Sequence, residues 1–328
     1  MGESGTIGEF ALIDWIRRQE PERPIDSWTR VGIGDDCAIL GVGEGSGAGC
    51  DLLITTDMLM DGRHFRLGQD GPEAVGYKAM GVNLSDIAAM AGIPRAAVVA
   101  VALPRDHAVE IARGLHAGMR GLADRFSVDL VGGDTNAWDG PLVVTITVLG
   151  HATVRGAVRR SGARPGDAIL VTGPLGGSLV SGRHLKPEPR IAEALAIHRA
   201  AAIHAMIDLS DGLSSDLGHV LAESGGLGAV LDAVAIPIHP DAHEQARRDG
   251  VSALDHALRD GEDFELCLTV APADADRLLA EAPAPAKLYR IGEVTEAPGV
   301  FLRAADGCST PVEPRGFDHL RAGPEPGE

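Results

Sequence analysis

A chain of 328 residues is long for a single hydrophobic core and comfortable for two. Apolar residues make up 45% and charged residues 23%, an ordinary globular balance, but aromatics are only 3%, so the cores must be built from Ala, Val, Leu and Ile. A formal net charge of −18 gives no basic footprint for nucleic acid and no attraction to an acidic membrane; such a chain can bind phosphates only by neutralising them locally, with metals or a few well-placed Arg and Lys.

In chain order, Phe10, Ile13, Trp15 and Ile16 mark a short amphipathic helix, and residues 20–35 read as loop. Residues 51–56 form a buried strand. The pattern then predicts a helix over 73–91, opened by Pro72 and closed near Gly92-Ile93-Pro94. A strand over 96–103, a helix over 107–124, a short strand over 129–131 running into Gly132-Gly133, and a strand over 142–149 complete the first half. Residues 151–167, rich in Gly and Arg and carrying the turn Arg164-Pro165-Gly166-Asp167, divide a domain of residues 1–150 from one of 151–328. The second half reads as a strand over 168–172, helices over 189–200, 212–223 and 239–259, a strand over 264–270, a helix over 272–282 and a strand over 287–294. The end, 320–328, is frayed. Strong strands follow one another with little between them, so the fold class is α+β rather than a strict parallel wind. The glycine cluster at 41–49 is a hairpin or loop, since no GKS or GKT follows it and no GxGxxG aligns.

Cys37, Cys50, Cys267 and Cys308 lie far apart, form no CxxC and give neither a zinc pattern nor a disulfide framework. Acidic residues interrupt the N-terminal segment, so it has no signal-peptide core, and no long apolar run suggests a membrane span. The expected location is the cytoplasm.

The aspartates carry the chemistry. Asp35 and Asp36 follow Gly32-Ile33-Gly34, Asp57 follows Thr55-Thr56, Asp86 ends Val82-Asn83-Leu84-Ser85-Asp86, and Asp134 follows Gly132-Gly133. Asp208 and Asp211 lie in Ile207-Asp208-Leu209-Ser210-Asp211-Gly212. Each alone reads as a helix cap or turn residue. Together, with neighbouring Ser and Thr hydroxyls, they form the oxygen ligand set that Mg²⁺ shares with substrate phosphates, and no His pair or thiolate cluster competes for a softer metal. Without a Walker sequence, a nucleotide would be held mainly through metals.

These blocks belong to a longer ordered series: Gly8-Glu9-Phe10, Gly32 to Cys37, Thr55-Thr56-Asp57 with His64-Phe65, Tyr77-Lys78-Ala79 through Asp86, Gly132-Gly133-Asp134-Thr135 and Arg160-Ser161-Gly162-Ala163. Arg183-His184-Leu185 with Pro187, Pro189 and Arg190, Ile207 to Leu213, Gly261 to Leu266, and Gly316-Phe317-Asp318-His319 complete it. The series resembles the thiamine-monophosphate kinase family over almost the whole chain. The resemblance implies a two-domain α+β fold of the aminoimidazole ribonucleotide synthetase type, shared with selenophosphate synthetase, whose N-terminal sheets pair into a barrel across a homodimer. It implies an N-terminal ATP/Mg²⁺-binding and dimerisation domain and a C-terminal domain that completes the nucleotide and substrate site. The implied reaction is direct transfer of the γ-phosphoryl group of ATP to thiamine monophosphate, with no phosphoenzyme and no general base. By matching position, Asp36, Thr56, Asp57, Asp86, Asp134, Asp208 and Asp211 stand as Mg²⁺ ligands, with Thr55 beside them. Gly133, Arg160 and Ser210 stand as ATP contacts, and His64, Glu262 and Phe317 as substrate contacts. Taken alone, Arg160 reads equally as an exposed linker arginine, His64 as a capping or surface residue and Phe317 as core.

One departure stands out. After Gly176-Gly177-Ser178 only Leu179–Gly182 precede Arg183, where the family carries a longer helical stretch, and Phe317 stands where the family often has Tyr or Trp. The short stretch leaves open a paralogue with another acceptor, or a nucleotide-binding protein without transfer.

Overall fold

The computed structural model describes residues 9–19, 28–42, 51–283, 285 and 287–313. Helix α1 (Glu9–Gln19) is followed by β1 (Thr29–Val31), β2 (Ala38–Gly41), β3 (Asp51–Met60), α2 (Leu67–Ala89), β4 (Ile93–Pro104), α3 (Ala108–Phe126), β5 (Asp129–Trp138) and β6 (Val143–His151). These strands form one six-stranded sheet, in the order β1-β2-β3-β6-β4-β5. Its pairs are antiparallel except β4–β5, which α3 joins as a crossover. Strand β6 alternates between buried and half-buried residues, so Val144, Ile146 and Val148 enter a core with Leu84 and Ile87 of α2 and Leu115 of α3. The two helices pack closely because glycines stand at their contact. A Cβ on Gly76 would sit 2.1 Å from the Leu115 carbonyl oxygen, and one on Gly118 would sit 1.9 Å from that of Glu73.

The second half contains β7 (Ala168–Val171), α4 (Ser178–Ser181), a 3-10 turn (Arg183–Leu185), α5 (Ile191–Ala200), β8 (Ile203–Asp208), α6 (Leu213–Glu223), β9 (Gly228–Asp232), α7 (Pro240–Asp249) and α8 (Ala253–Arg259). Then come β10 (Leu266–Val270), α9 (Pro272–Glu281), β11 (Tyr289–Thr295), β12 (Gly299–Arg303) and β13 (Ser309–Val312). A seven-stranded sheet results, ordered β13-β12-β9-β11-β7-β10-β8, with β12–β9 its parallel pair. Strands β7 and β10 are buried at every residue. One face packs Ile169, Val171 and Ile207 against α6; the other sends Leu170, Met206 and Leu268 into the core shared with α2. Their unbroken apolar runs follow from this two-sided burial. Helix α2 thus lies between the sheets, and side chains along it reach both halves.

The α+β class and most elements agree with the sequence reading; several boundaries do not. Strand β3 continues past Thr56 to Met60, so Asp57 lies within it. Strand β5 runs ten residues through Gly132-Gly133 instead of stopping there. The helix expected over 239–259 is two: α7 ends at Gly250, whose φ of 76° is left-handed, and α8 restarts where Ser252 accepts a hydrogen bond from the Asp255 N–H at 3.0 Å. Residues 29–31, expected as loop, form β1, and strands β2, β8, β9, β12 and β13 had no counterpart in the sequence reading. Helix α1 forms, but Trp15 and Ile16 are exposed, and Arg17 fastens the helix to Glu223 of α6 at 2.6 Å. Most of the 41–49 glycine cluster, and Phe317, lie outside the described residues.

Candidate active site

Four structural elements deliver four carboxylates to one place. Asp36 lies in the loop before β2, Asp57 on β3, Asp86 in the last turn of α2 and Asp208 at the end of β8. Asp36, Asp86 and Asp208 each place one carboxylate oxygen within 4.8 Å of the others'. Asp57 joins by electrostatic interaction with Asp86, and its N–H donates to Asn83 Oδ1 at 3.1 Å. Helix α2 supports the cluster further: Ser85 Oγ donates to Asp208 Oδ2 at 2.6 Å, and Thr55 Oγ1 of β3 donates to Asp86. The facing cation is Arg160, which sets Nη2 2.6 Å from Asp36 Oδ1 and donates its N–H to Asp35 Oδ1 at 3.1 Å.

So many carboxylates in a low-dielectric site resist ionisation. Burial, then Asp36, raises Asp57 to about 6 and Asp208 to about 7. Burial, then Asp57, Asp208 and Asp36, pushes Asp86 well above the ordinary range. Burial and Asp36 likewise raise Asp35 to about 6. For Arg160, burial works downward, but Asp36 first and then Asp208 and Asp86 hold it above its ordinary value. One oxygen, Asp36 Oδ2, is buried without a hydrogen-bond partner. An orphaned carboxylate oxygen among acids that repel one another is a place for a hard divalent cation, and the oxygen donors suit Mg²⁺.

Beside the cluster, Ser210 and Asp211 occupy the loop between β8 and α6. Its shape is held by Asp216, a buried residue of α6 that the sequence reading missed, whose Oδ2 accepts from the N–H groups of both Asp211 and Gly212 at 3.1 Å. The available signal was an acid in the first turn of the helix after Gly212, where it meets free backbone N–H groups.

Two expected ligands stand apart. Thr56 turns to the opposite face of β3 from Thr55 and Asp57; its hydroxyl donates to the Ile146 carbonyl at 3.2 Å and accepts from Thr147 Oγ1 at 3.0 Å. Asp134 is exposed on the edge strand β5, where Asn136 donates to it at 2.9 Å. The register runs Asp57↔Ile146, Ile146↔Val99, Val99↔Gly133, which puts Gly133 three strand spacings, about 14 Å, from Asp57. A Cβ on Gly133 would meet the Val99 carbonyl oxygen at 1.8 Å, so strand pairing by itself requires glycine there.

Glu262 and the His64 main chain, expected as substrate contacts, are bridged by a residue given no role from the sequence. Lys78 of α2 is completely buried; its Nζ donates to Glu262 Oε2 at 2.6 Å and to the His64 carbonyl at 2.7 Å. Its sequence signal was a lysine set among the apolar residues of Val75–Met80. The short segment closes on the same region. Arg183 Nη2 binds Asp263 Oδ1 and the Gly176 carbonyl, both at 2.9 Å; Ser178 Oγ donates to the Gly261 carbonyl at 3.0 Å; and His184 Nδ1 lies 3.1 Å from the Ser178 carbonyl. A four-residue helix and one 3-10 turn therefore connect β7 to α5 without leaving the loop at 261–263 uncovered.

Residues 34–152 match the family model described as AIR synthase related protein, N-terminal domain, and residues 164–305 match AIR synthase related protein, C-terminal domain. The thiamine-monophosphate kinase of Rhodopirellula baltica is 41% identical over 314 residues, covering 95% of this chain and 97% of that protein. A solved structure of AaThiL complexed with AMPPCP and TMP aligns with a TM-score of 0.80 at 30% identity, covering 97% of this chain and 99% of that one. The crystal structure of the thiamine-monophosphate kinase from Stenotrophomonas maltophilia K279a aligns with a TM-score of 0.69 at 36% identity, over 91% of this chain and 96% of that one.

Proposed function

The chain belongs to the thiamine-monophosphate kinase family, and from that premise we propose that it transfers the γ-phosphoryl group of ATP directly to the phosphate of thiamine monophosphate, giving ADP and thiamine diphosphate. The observation that carries this reading is the convergence of Asp36, Asp86 and Asp208, with Asp36 Oδ2 unpartnered, beside Arg160. The acceptor is an already ionised phosphate oxygen, so no side chain has to remove a proton. What remains is in-line positioning and charge neutralisation.

The residues divide the work as follows. Asp36, Asp57, Asp86 and Asp208 hold Mg²⁺, with Thr55 fixing Asp86 and Ser85 fixing Asp208. When bound, Mg²⁺ supplies the positive charge that lets two polyanions approach within one acidic site. Asp211 would add a ligand at the margin, and Thr56 stands in the set by family position although its side chain lies on the other face of β3. Asp134 would join the metal set by family position alone, since it is exposed on edge strand β5, away from the cluster. Arg160 offers a planar fork to phosphate from a place already ionised and braced by Asp36. Gly133 and Ser210 meet the nucleotide, and His64, Glu262 and Phe317 meet the acceptor. Residues 1–150 supply the ATP, metal and dimer functions, and 151–328 complete the nucleotide and substrate site.

Met58 and Met60 are exposed on the face of β3 turned away from Asp57, where an apolar sheet face calls for cover. A second copy pairing there into a barrel provides it, and the mass of two chains in light scattering is the expected result; the mass of one contradicts it. Among the described residues no helix is long and apolar enough to cross a membrane, and the use of ATP supports a cytoplasmic location. Incubating the purified chain with ATP, Mg²⁺ and thiamine monophosphate tests the function: thiamine diphosphate that forms only with metal is expected, and its absence while ATP binds rejects the reading.

A further inference from the structure

Lys78 occupies a position where an apolar residue would pack at less expense. Val75, Ala79, Met80 and Val82 around it on α2 are all buried, and its own side chain has no exposed surface. Burying an ammonium group is unfavourable unless its donors are matched by acceptors. Here the acceptors come from two distant segments: the turn after β3, through the His64 carbonyl, and the 261–264 loop of the second half, through Glu262 Oε2.

Both segments are otherwise prepared. The 261–264 loop holds three residues in the left-handed region, Gly261 at φ 72°, Glu262 at 52° and Phe264 at 52°, two of them not glycine. Its backbone is tied to the β8–α6 loop, with the Glu262 N–H donating to the Ser210 carbonyl at 2.7 Å and the Phe264 N–H to that of Leu209 at 2.9 Å. Glu262 keeps 21% of its side chain exposed. On the other segment, His64 Nδ1 accepts from the Met60 N–H at 3.0 Å, which leaves the ring proton on Nε2. Lys78 stands eight residues before Asp86 on the unbroken part of α2 that follows the kink at Gly71, so this pair lies about 12 Å along α2 from the carboxylate cluster.

We propose that Lys78 is a positioning residue that sets acceptor selectivity: it engages one oxygen of Glu262, neutralises its charge, and fixes the main chain that carries His64. Glu262 Oε1 is then aimed as a hydrogen-bond acceptor for the exocyclic amino group of the aminopyrimidine, while the phosphate end of the same molecule reaches the aspartates. This rests on the reading that Glu262 and His64 meet the acceptor. A neutral pair recognises an amine by geometry, whereas a lone half-buried carboxylate would attract cations of any shape.

The test compares Lys78→Met, Glu262→Gln and the double variant in the full chain. It measures kcat and KM for ATP and for thiamine monophosphate, the KM for the analogue carrying an oxo group in place of the exocyclic amine, and thermal stability. Lys78→Met is expected to raise the KM for thiamine monophosphate about tenfold or more and to narrow its preference over the oxo analogue. The KM for ATP and kcat should stay within about threefold. The double variant should resemble the more impaired single variant, because the two residues act as one unit. It also removes the stranded charge, so it carries the test if Lys78→Met fails to fold. Equal changes in both KM values, or an unchanged acceptor KM in Lys78→Met beside a raised one in Glu262→Gln, overturns the role of Lys78 and leaves the acceptor reading standing. An unchanged acceptor KM and preference in Glu262→Gln, with turnover intact, overturns that reading and the proposal with it.

Discussion

Asp57 and Asp208 illustrate what single residues contribute. Burial, then Asp36, holds them at about 6 and about 7, so without metal they are poised between charged and neutral, at a cost to the fold. Asp57→Asn and Asp208→Asn should therefore lower turnover by about 10²–10³ while leaving the metal-free chain at least as stable, since each removes a repelled charge. Steady-state kinetics beside thermal melts checks both halves; near-normal turnover in both variants rejects the metal assignment. These carboxylates were legible only as a group, because each alone reads as a cap or turn residue and only their number beside Ser and Thr hydroxyls points to a hard metal. Thr55 and Thr56 were not separable, because which face each takes depends on the strand extending beyond them, and only then does alternation put Thr55 with Asp57 and turn Thr56 away. Asp216 and Lys78 escaped notice because their partners, two backbone N–H groups and a carboxylate 184 positions away, exist only in the folded chain.

At the scale of elements, the long amphipathic pieces were readable and the interruptions were less so. Strand β5 runs through Gly132-Gly133 because these residues sit against β4, and a side chain at Gly133 would collide with the Val99 carbonyl; a pattern-based reading takes the same glycines for a strand end. The break at Gly250 was overlooked because both flanking stretches are helical in pattern. Strands β9, β12 and β13 are four or five residues each, too short to show a period. The α2–α3 contact yields a paired prediction. Gly118→Val drives a side chain into the Glu73 carbonyl and should destabilise by about 3 kcal/mol. Gly121→Ala, three residues on in the same helix with open space around it, should stabilise by about 0.5–1 kcal/mol. Chemical denaturation measures both, and equal effects contradict the packing described.

For the whole molecule, the acidic cluster joins the halves and makes stability depend on pH. Asp35 and Asp57 titrate at about 6 and Asp208 at about 7, and burial raises Asp263 to about 7 despite Arg183. At these carboxylates the folded chain binds more protons than the unfolded one between the ordinary carboxylate range and pH 7, so their contribution to stability falls as pH rises through those values. The metal-free chain should melt at a higher temperature at pH 6 than at pH 8, and saturating Mg²⁺ should narrow the difference by taking the place of the protons. A metal-free melting temperature that rises from pH 6 to pH 8 contradicts this electrostatic picture. Catalysis calls for the same neutralisation of charge, and one measurement addresses it most directly: a single turnover with ATP labelled in its γ-phosphate, Mg²⁺ and thiamine monophosphate, separating nucleotides, thiamine phosphates and protein. Direct transfer predicts that the label moves from ATP to the terminal phosphate of thiamine diphosphate and never resides on the protein. Label trapped on the chain, or released as orthophosphate with no thiamine diphosphate formed, contradicts it.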